Sequence, residues 1–349
     1  MADRSSAGDP LLADREKRAR LERWLEQNVP GFSSPFTLSA FSGGQSNPTY
    51  RITYPAGDCV LRRKPFGALL PSAHAIEREF RVMRALAGSG VPVPRVIALC
   101  EDPAVIGAAF YAMEFIDGRI FWDPSLPGLA PNERSAIYEG LNSAMAALHA
   151  VDPDAVGLGD YGRRSGYMAR QITRWSQQYR ASETQKIDAM DGLIDWLPQH
   201  VPPEAGTSIV HGDFRIDNVI FHKTEPRPLA ILDWELSTLG DPNADFAYHV
   251  MSWRLSSGLF RGLADHDLPT LGIPSERDYA ATYFARARRP PSDHWEVYLA
   301  FNLFRLAAIL QGVGKRALDG NAADANALEM GARARPIAEL AWKIALQLS

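Results

Sequence analysis

This chain is short of cysteine, of long apolar runs and of charge of either sign in excess. Two cysteines, Cys59 and Cys100, stand in apolar surroundings among 349 residues, which gives no basis for a disulfide framework and suits buried free thiols. No His/Cys cluster has the spacing of a zinc site. No apolar stretch runs to the roughly 18 residues that a bilayer-crossing helix requires, so no membrane span is expected. Residues 1–6 lack the apolar core of a signal peptide, and a reducing cytoplasm is the expected location. A net charge of −4 gives no general affinity for nucleic acid. Also missing are a Gly-x-Ser-x-Gly nucleophile elbow and a Gly-Lys-Ser/Thr run opening a helix. There is no internal repeat and no low-complexity tract.

What is there is the composition of a globular enzyme, 46% hydrophobic and 22% charged, with length enough for two lobes. Charge divides between the halves: residues 1–120 carry a net +2 and residues 121–349 a net −6. Residues 1–12 read as a disordered lead. A charged helical pattern over 13–28 ends at Pro30-Gly31. Short strand-like runs follow at 36–41, 49–54 and 58–63, with Pro55-Ala56-Gly57 as a turn. A helix is expected over 73–87, then extended chain at Val91-Pro92-Val93-Pro94 and strands near 95–101 and 108–115. From Pro131 the pattern becomes helical, over 131–149, 165–182 and 186–197. Catalytic-looking hairpins interrupt it at 209–235. Helical patterns resume at 241–255, 275–287, 291–317 and 321–347. The change of character near Asp117-Gly118 divides a lobe at 13–117 from a helical lobe at 118–349.

The hairpins hold the strongest signal. Between Ile209 and Trp234 stand His211-Gly212-Asp213, then Asn218, then Leu232-Asp233-Trp234, with apolar strand-like runs on either side. Charge inside an apolar frame is costly unless it meets a partner or a metal. Asp213, Asn218 and Asp233 are the residue types that phosphoryl transfer needs. One carboxylate takes the acceptor's hydroxyl proton, and an Asn and a second carboxylate hold magnesium against nucleotide phosphates.

The Asp-x4-Asn offset followed by Leu-Asp-Trp resembles the aminoglycoside phosphotransferase family, part of the protein-kinase-like superfold. The resemblance covers about residues 33–345. It implies an α+β bilobal fold: a five-stranded antiparallel N-lobe with one helix, and a mainly helical C-lobe. It implies ATP and Mg2+ as cofactors and a small-molecule acceptor. Phe41-Ser42-Gly43-Gly44-Gln45-Ser46-Asn47 would then be the phosphate-facing hairpin, with Ser42, Gly43, Gly44, Ser46 and Asn47 as nucleotide contacts. Arg62 takes the position of the family's usual phosphate-binding Lys and keeps the charge. Period-2 alternation groups Val60 with Arg62 and Leu61 with Arg63, and leaves open which of Arg62, Arg63 and Lys64 meets phosphate. The partner carboxylate is Glu77 or Glu79, and an Arg-Glu-aromatic motif favours Glu79. Backbone groups of Glu114, Phe115 and Ile116 would hydrogen-bond an adenine. His211 and Gly212 read as loop-shaping residues, Asp217 as a cap or supporting residue, and Glu235 as a candidate for the metal's surroundings. Asp241 and Asp245 read as structural, with Asp241-Pro242 opening a helix.

The acceptor is less visible. Phe-Ser-Gly-Gly-Gln-Ser-Asn, Leu-Arg-Arg-Lys-Pro and Leu-Asp-Trp-Glu-Leu-Ser-Thr-Leu-Gly-Asp-Pro look like the branch that includes the kinase-like domains of acyl-CoA dehydrogenase family members 10 and 11. That implies a hydroxyacyl-type acceptor, such as a 4-hydroxyacyl-CoA. Arg215, Arg254 and Arg305 are the candidate acceptor residues. Arg305, inside an apolar helix, needs an anionic partner, either an internal Asp or a substrate anion. Two alternatives stay open: an aminoglycoside or choline-like kinase, and a nucleotide-binding pseudokinase module.

Overall fold

The computed structural model describes residues 11, 14–41, 47–66, 75–320 and 326–348. Ser42, Gly43, Gly44 and Ser46 lie outside the described residues. The chain divides into two compact units. The first is Met1–Gly118 with Leu229–Glu235; the second is Arg119–Pro228 with Leu236–Ser349. The segment that carries Asp233 therefore groups with the first unit.

In the first unit, helix α1 (Arg15–Asn28) starts at Asp14, whose side chain accepts the backbone N–H groups of Glu16 and Lys17. The strands are β1 (Thr37–Ala40), β2 (Thr49–Tyr54), β3 (Gly57–Arg63), β4 (Val96–Cys100) and β5 (Phe110–Glu114). They form one antiparallel sheet in the order β1-β2-β3-β5-β4, as the family resemblance implied. Helix α2 (Ile76–Leu86) follows β3, and a single turn, α3 (Pro103–Ile106), joins β4 to β5. Leu21 and Leu25 of α1 share a core with Tyr50, Ile52, Cys59, Leu61, Phe110 and Ala112. The alternation of β3 thus sends Cys59 and Leu61 into that core, and Val60 and Arg62 to the opposite face. Arg63, on the core side, is 3% exposed, lies over Phe66 and donates to the Tyr50 hydroxyl at 3.0 Å.

The second unit is mainly helical. Its longer helices are α4 (Pro131–Ala150), α5 (Tyr167–Ser182) and α6 (Asp188–Trp196). The short strands β6 (Ser208–Val210) and β7 (Val219–Phe221) come next. Strand β8 (Pro228–Ile231) leads into the Asp233 segment, and β9 (Thr238–Gly240) pairs antiparallel with β6. Then follow α7 (Pro242–Val250), α8 (Ser257–Phe260), α9 (Leu268–Leu271), α10 (Glu276–Ala287), α11 (Trp295–Leu318), α12 (Ala327–Ala332) and α13 (Ala334–Leu346).

Two helical expectations change. The pattern over 241–255 is helical only to Val250 and tightens into a 3-10 turn at Met251–Trp253. The pattern over 321–347 holds two helices, not one. Pro336 lacks an N–H and its ring opposes the carbonyl four residues earlier, that of Ala332, which is where α12 ends. Helix α11 is long and apolar enough to cross a bilayer, although it contains no unbroken apolar run of that length, but 83% of its apolar window is buried within the fold. It packs on α5, α7, α12 and α13 as the spine of the second unit's core. Gly314 and Gly331 let α11 and α12 touch backbone to backbone: a Cβ on Gly331 would stand 2.5 Å from the Gly314 Cα.

Candidate active site

In the first unit the polar residues converge on Glu79. This carboxylate is 1% exposed, on the inner face of α2. It is ion-paired with Arg62, whose Nε stands 2.8 Å away and whose Nη2 donates at 3.4 Å, and it accepts from Asn47 Nδ2 at 2.7 Å and from the Tyr111 hydroxyl at 3.1 Å. Burial raises its pKa, and the Arg62 charge opposes that rise. Arg62 also donates through Nη2 to Asp233 Oδ1 at 2.7 Å. Burial alone would lower the Arg62 pKa, but Glu79, then Tyr111 and Asp233, hold it above the ordinary value. The guanidinium is therefore a fixed cation joining α2 to the Asp233 segment.

The other two cations of the strand end are committed elsewhere. Arg63 faces the core, and Lys64 pairs with Glu77 at 2.5 Å. Of the three, only Arg62 contacts Glu79. Asp233 adopts φ +65°, a left-handed conformation rarely held by residues with a Cβ. Such strain gathers at functional positions.

Two nucleotide-side expectations change here. Asn47 was expected at phosphate, but it is fully buried and its amide donates to Glu79, so it braces the cluster. Backbone groups of Glu114 were expected at adenine, and of these the N–H donates to the Arg95 carbonyl at 2.9 Å. Its carboxylate accepts the Arg95 N–H in return. Phe115, under the Arg51 guanidinium at 4.2 Å, and Ile116 are half-buried just beyond the strand.

In the second unit β6 delivers the loop His211–Arg215, and a 3-10 turn over Ile216–Asn218 leads into β7. Gly212 adopts φ +83°, and a Cβ there would stand 2.8 Å from the Leu236 carbonyl oxygen, so only glycine fits. His211 is fully buried, and its Nδ1 accepts the Asp213 N–H at 3.2 Å.

Asp213 is held by two hydrogen-bond donors and one ion pair. The Tyr248 hydroxyl donates to Oδ1 at 2.5 Å and Asn218 Nδ2 to Oδ2 at 3.1 Å, while Arg215 stands 3.6 Å from Oδ1. A carboxylate offers about four lone-pair sites, so room remains for one more hydroxyl. Asn218 commits its amide nitrogen to Asp213, to the side chain and to the backbone carbonyl at 2.9 Å. Its Oδ1 is the atom left for a ligand.

Taken each by itself, the carboxylate of Asp233 and the amide oxygen of Asn218 are hard oxygen donors of the kind magnesium takes. Magnesium is held by one or two such groups together with phosphates and water, not by a protein cage. Among the described residues, no group of three or more His, Cys, Asp and Glu that could hold a metal occurs.

Asp245, on α7, read from the sequence as structural, proves to be the loop's anchor. Its oxygens accept the backbone N–H groups of His211 and Gly212, each at 2.7 Å, and it meets His149 Nε2 at 3.1 Å. Burial would raise its pKa, but the His149 hydrogen bond and charge and His211 outweigh burial and hold it below the usual value. Asp241 caps α7 as expected, its side chain accepting the Asn243 N–H. Asp245, Tyr248 and His249 share one face of α7 at i, i+3 and i+4, a spacing that was available to find them.

The arginines expected at the acceptor separate. Arg305 donates to the Gly212 carbonyl and lies over the Tyr248 ring at 4.7 Å, so its partner within the fold is backbone and not an internal Asp. Arg254 is neutralised by Glu276 and Glu296 and lines a different recess, with Trp295 and Phe284. Arg215 alone of the three borders the recess next to the Asp213 partner Tyr248. That recess has about 480 Å³ of empty space, part of it open to solvent. Asp217 lies in its wall, 7% exposed.

Comparison with known proteins supplies the name of this arrangement. The model of the phosphotransferase enzyme family, APH, matches residues 37–284. The chain belongs to this family. The phosphotransferase is 51% identical over 93% of its length to acyl-CoA dehydrogenase family member 10 of Mus musculus, covering 31% of that protein. It is 45% identical over 97% of its length to a probable acyl-CoA dehydrogenase, IBR3, of Arabidopsis thaliana, covering 44% of it. The chain thus spans less than half the length of these curated relatives. A crystal structure of a candidate aminoglycoside phosphotransferase from Ralstonia eutropha superposes with a TM-score of 0.87 at 54% identity, covering 95% of this chain and 98% of that one. Choline kinase from Cryptosporidium parvum shares the fold, with a TM-score of 0.64 at 14% identity over 95% of this chain and 94% of its own. So does an aminoglycoside phosphotransferase solved with AMP-PNP and hygromycin B, with a TM-score of 0.60 at 18% identity over 93% of this chain and 98% of its own.

Proposed function

We propose that this phosphotransferase is an ATP-dependent, magnesium-assisted kinase that moves the γ-phosphoryl group to a hydroxyl of a small anionic acceptor of the hydroxyacyl type. The observation that carries the reading is the setting of Asp213. It is oriented by Tyr248 and Asn218, has capacity left for a hydroxyl, and belongs to a loop fixed by Asp245 and Arg305.

In this reading Asp213 accepts the hydrogen bond of the acceptor's hydroxyl and takes its proton as the new P–O bond forms. Arg62, fixed by Glu79, supplies positive charge to the nucleotide phosphates. Bound magnesium would neutralise phosphate charge, with Asp233 and Asn218 Oδ1 as its protein ligands. Phosphoryl transfer asks for positioning and charge, which these residues offer, more than for a covalent intermediate.

The acceptor class draws on the relatives' names, which concern acyl-CoA chemistry, and on the arginines beside Asp213. Two buried free thiols suit a reducing cytoplasm. A second reading, a nucleotide-binding module without transfer, draws on Arg62 standing for Lys and binding Asp233.

One assay separates them. Wild type and Asp213→Ala are given labelled ATP and hydroxy acids, their CoA esters, aminoglycosides or choline. The kinase reading expects labelled product from an anionic acceptor with wild type alone. Tight nucleotide binding with no labelled product would overturn it in favour of the module, and labelled aminoglycoside or choline would overturn the acceptor class.

A further inference from the structure

The recess beside Asp213 contains a cation that no sequence motif marked. Arg261 follows α8 at φ +41°, a left-handed conformation that residues with a Cβ rarely hold. Its Nη1 donates to Asp217 Oδ2. The same Asp217 carboxylate, its side chain 4% exposed, accepts from Arg215 Nε at 3.1 Å and Nη2 at 3.2 Å. One buried carboxylate, with both oxygens engaged, thus stands between two guanidinium groups. The Arg261 guanidinium also lies 5.4 Å from the ring of Trp122, a tryptophan 52% exposed. Among the described residues, Asp217 is the one carboxylate in the wall of this recess. His249, also in the wall, is kept neutral because burial pushes its pKa down to about 4. The rest of the wall, Tyr138, Met251, Leu255 and Phe260 among it, is largely apolar.

Taken together, we propose that Arg261 and Trp122 are specificity-determining residues for the acceptor: they read an anionic group on a molecule whose apolar part lies along Met251, Leu255 and Phe260. This rests on the reading of Asp213 as the residue that receives the acceptor's hydroxyl. A polycation entering here would meet two guanidinium groups and a carboxylate already engaged by both. An anion would meet Arg261 across a half-open rim, with Trp122 as a platform. Arg261 ends α8 in the left-handed conformation, and its guanidinium, paired with Asp217, lines the recess. The anion recognised is a carboxylate or a phosphate, since a guanidinium binds either.

Direct binding tests this without requiring phosphoryl transfer. The probes are 4-hydroxydecanoate and its neutral amide, and 4-hydroxydecanoyl-CoA and the neutral N-acetylcysteamine thioester of the same acid. Titration calorimetry on the full chain should show a preference for one anionic probe over its neutral partner of at least about tenfold, the scale of a hydrogen bond to a charged group. The pair that shows it tells carboxylate from CoA phosphate. Arg261→Asn, chosen because Asn tolerates the left-handed region, should erase the preference while binding the neutral probe as before. Arg261→Lys should keep part of it. Equal binding of acid and neutral probes by wild type overturns the proposal, as does a preference that survives in Arg261→Asn. If wild type binds none of the probes, the proposal fails, while the kinase reading is decided separately by the labelled-ATP assay. Unchanged neutral-probe binding by Arg261→Asn excludes misfolding as the cause.

Discussion

Asp245 accepts the backbone N–H groups of both His211 and Gly212 at 2.7 Å, so a helix residue 32 positions beyond Asp213 dictates where the Asp213 loop runs. Two donors from consecutive residues leave the loop little freedom, and the buried His149 closes the third side of the carboxylate. Asp245→Asn keeps the shape but turns one acceptor into a donor facing an N–H. The expected outcome is a loss of about 3 kcal/mol in stability, the scale of a broken buried charged hydrogen-bond set. Chemical denaturation measures it. Phosphotransfer, assayed on the same protein, should fall together with loop order, and a stability change under about 1 kcal/mol would mean that Asp245 is not the anchor.

Gly212 offers a sharper probe of the same loop. Its φ of +83° and the 2.8 Å separation that a Cβ would have from the Leu236 carbonyl oxygen both oppose any side chain. Gly212→Ala should lose about 2 kcal/mol or more of stability, adding left-handed strain to a backbone clash. Its kcat should fall more than its nucleotide affinity, since Gly212 belongs to the Asp213 loop and not to the Arg62 cluster. Wild-type kcat in the alanine variant would contradict the close approach.

Arg62 invites a charge-retaining comparison. Arg62→Ala leaves Glu79 buried with Asn47 and Tyr111 as its remaining side-chain partners, so both ATP affinity and stability should drop. The affinity loss is expected at roughly tenfold to hundredfold, as for a lost charged hydrogen bond. Arg62→Lys should recover most of the affinity, because the position needs a cation that reaches Glu79. Calorimetric titration with ATP and magnesium reads both. An unchanged affinity in Arg62→Ala would move the phosphate contact to another cation.

The contrast between these residues shows what a sequence can carry. Local spacing was enough to pick out Asp213, Asn218 and Asp233 as candidates, to set Arg62 apart from Arg63 by strand alternation, and to outline the five strands with a helix after the third. It was not enough wherever the partner lies far along the chain. Arg305 meets a carbonyl 93 residues away, and Arg254 meets Glu276 and Glu296 at separations of 22 and 42. An arginine in an apolar helix therefore looks like a substrate contact until its distant acceptor is known. Arg261 is the converse case: between Phe260 and Gly262 no local pattern marks it, and only the fold brings it to Asp217. Asn47 is a similar case: burial, which its residue type does not reveal, turns its amide nitrogen toward Glu79.

His249 makes the fold sensitive to acid in a defined range. It is buried on α7, its Nε2 hydrogen-bonds the Tyr279 hydroxyl at 2.9 Å, and burial lowers its pKa from 6.5 to about 4. Above pH 6.5 the imidazole is neutral in folded and unfolded chains alike, so it adds no pH dependence. Below that, the unfolded chain binds a proton that the folded chain refuses, and stability declines until the folded imidazole also titrates near pH 4. The full contribution is about 3 kcal/mol, from the size of that shift. His249→Gln removes the titrating group and retains a side chain able to hydrogen-bond Tyr279. Its unfolding free energy, followed by urea denaturation between pH 7 and pH 4, should fall less steeply than that of wild type, the two curves converging or crossing as the pH drops. Parallel curves would show that His249 is protonated in the folded chain as readily as in the unfolded one, contrary to its burial.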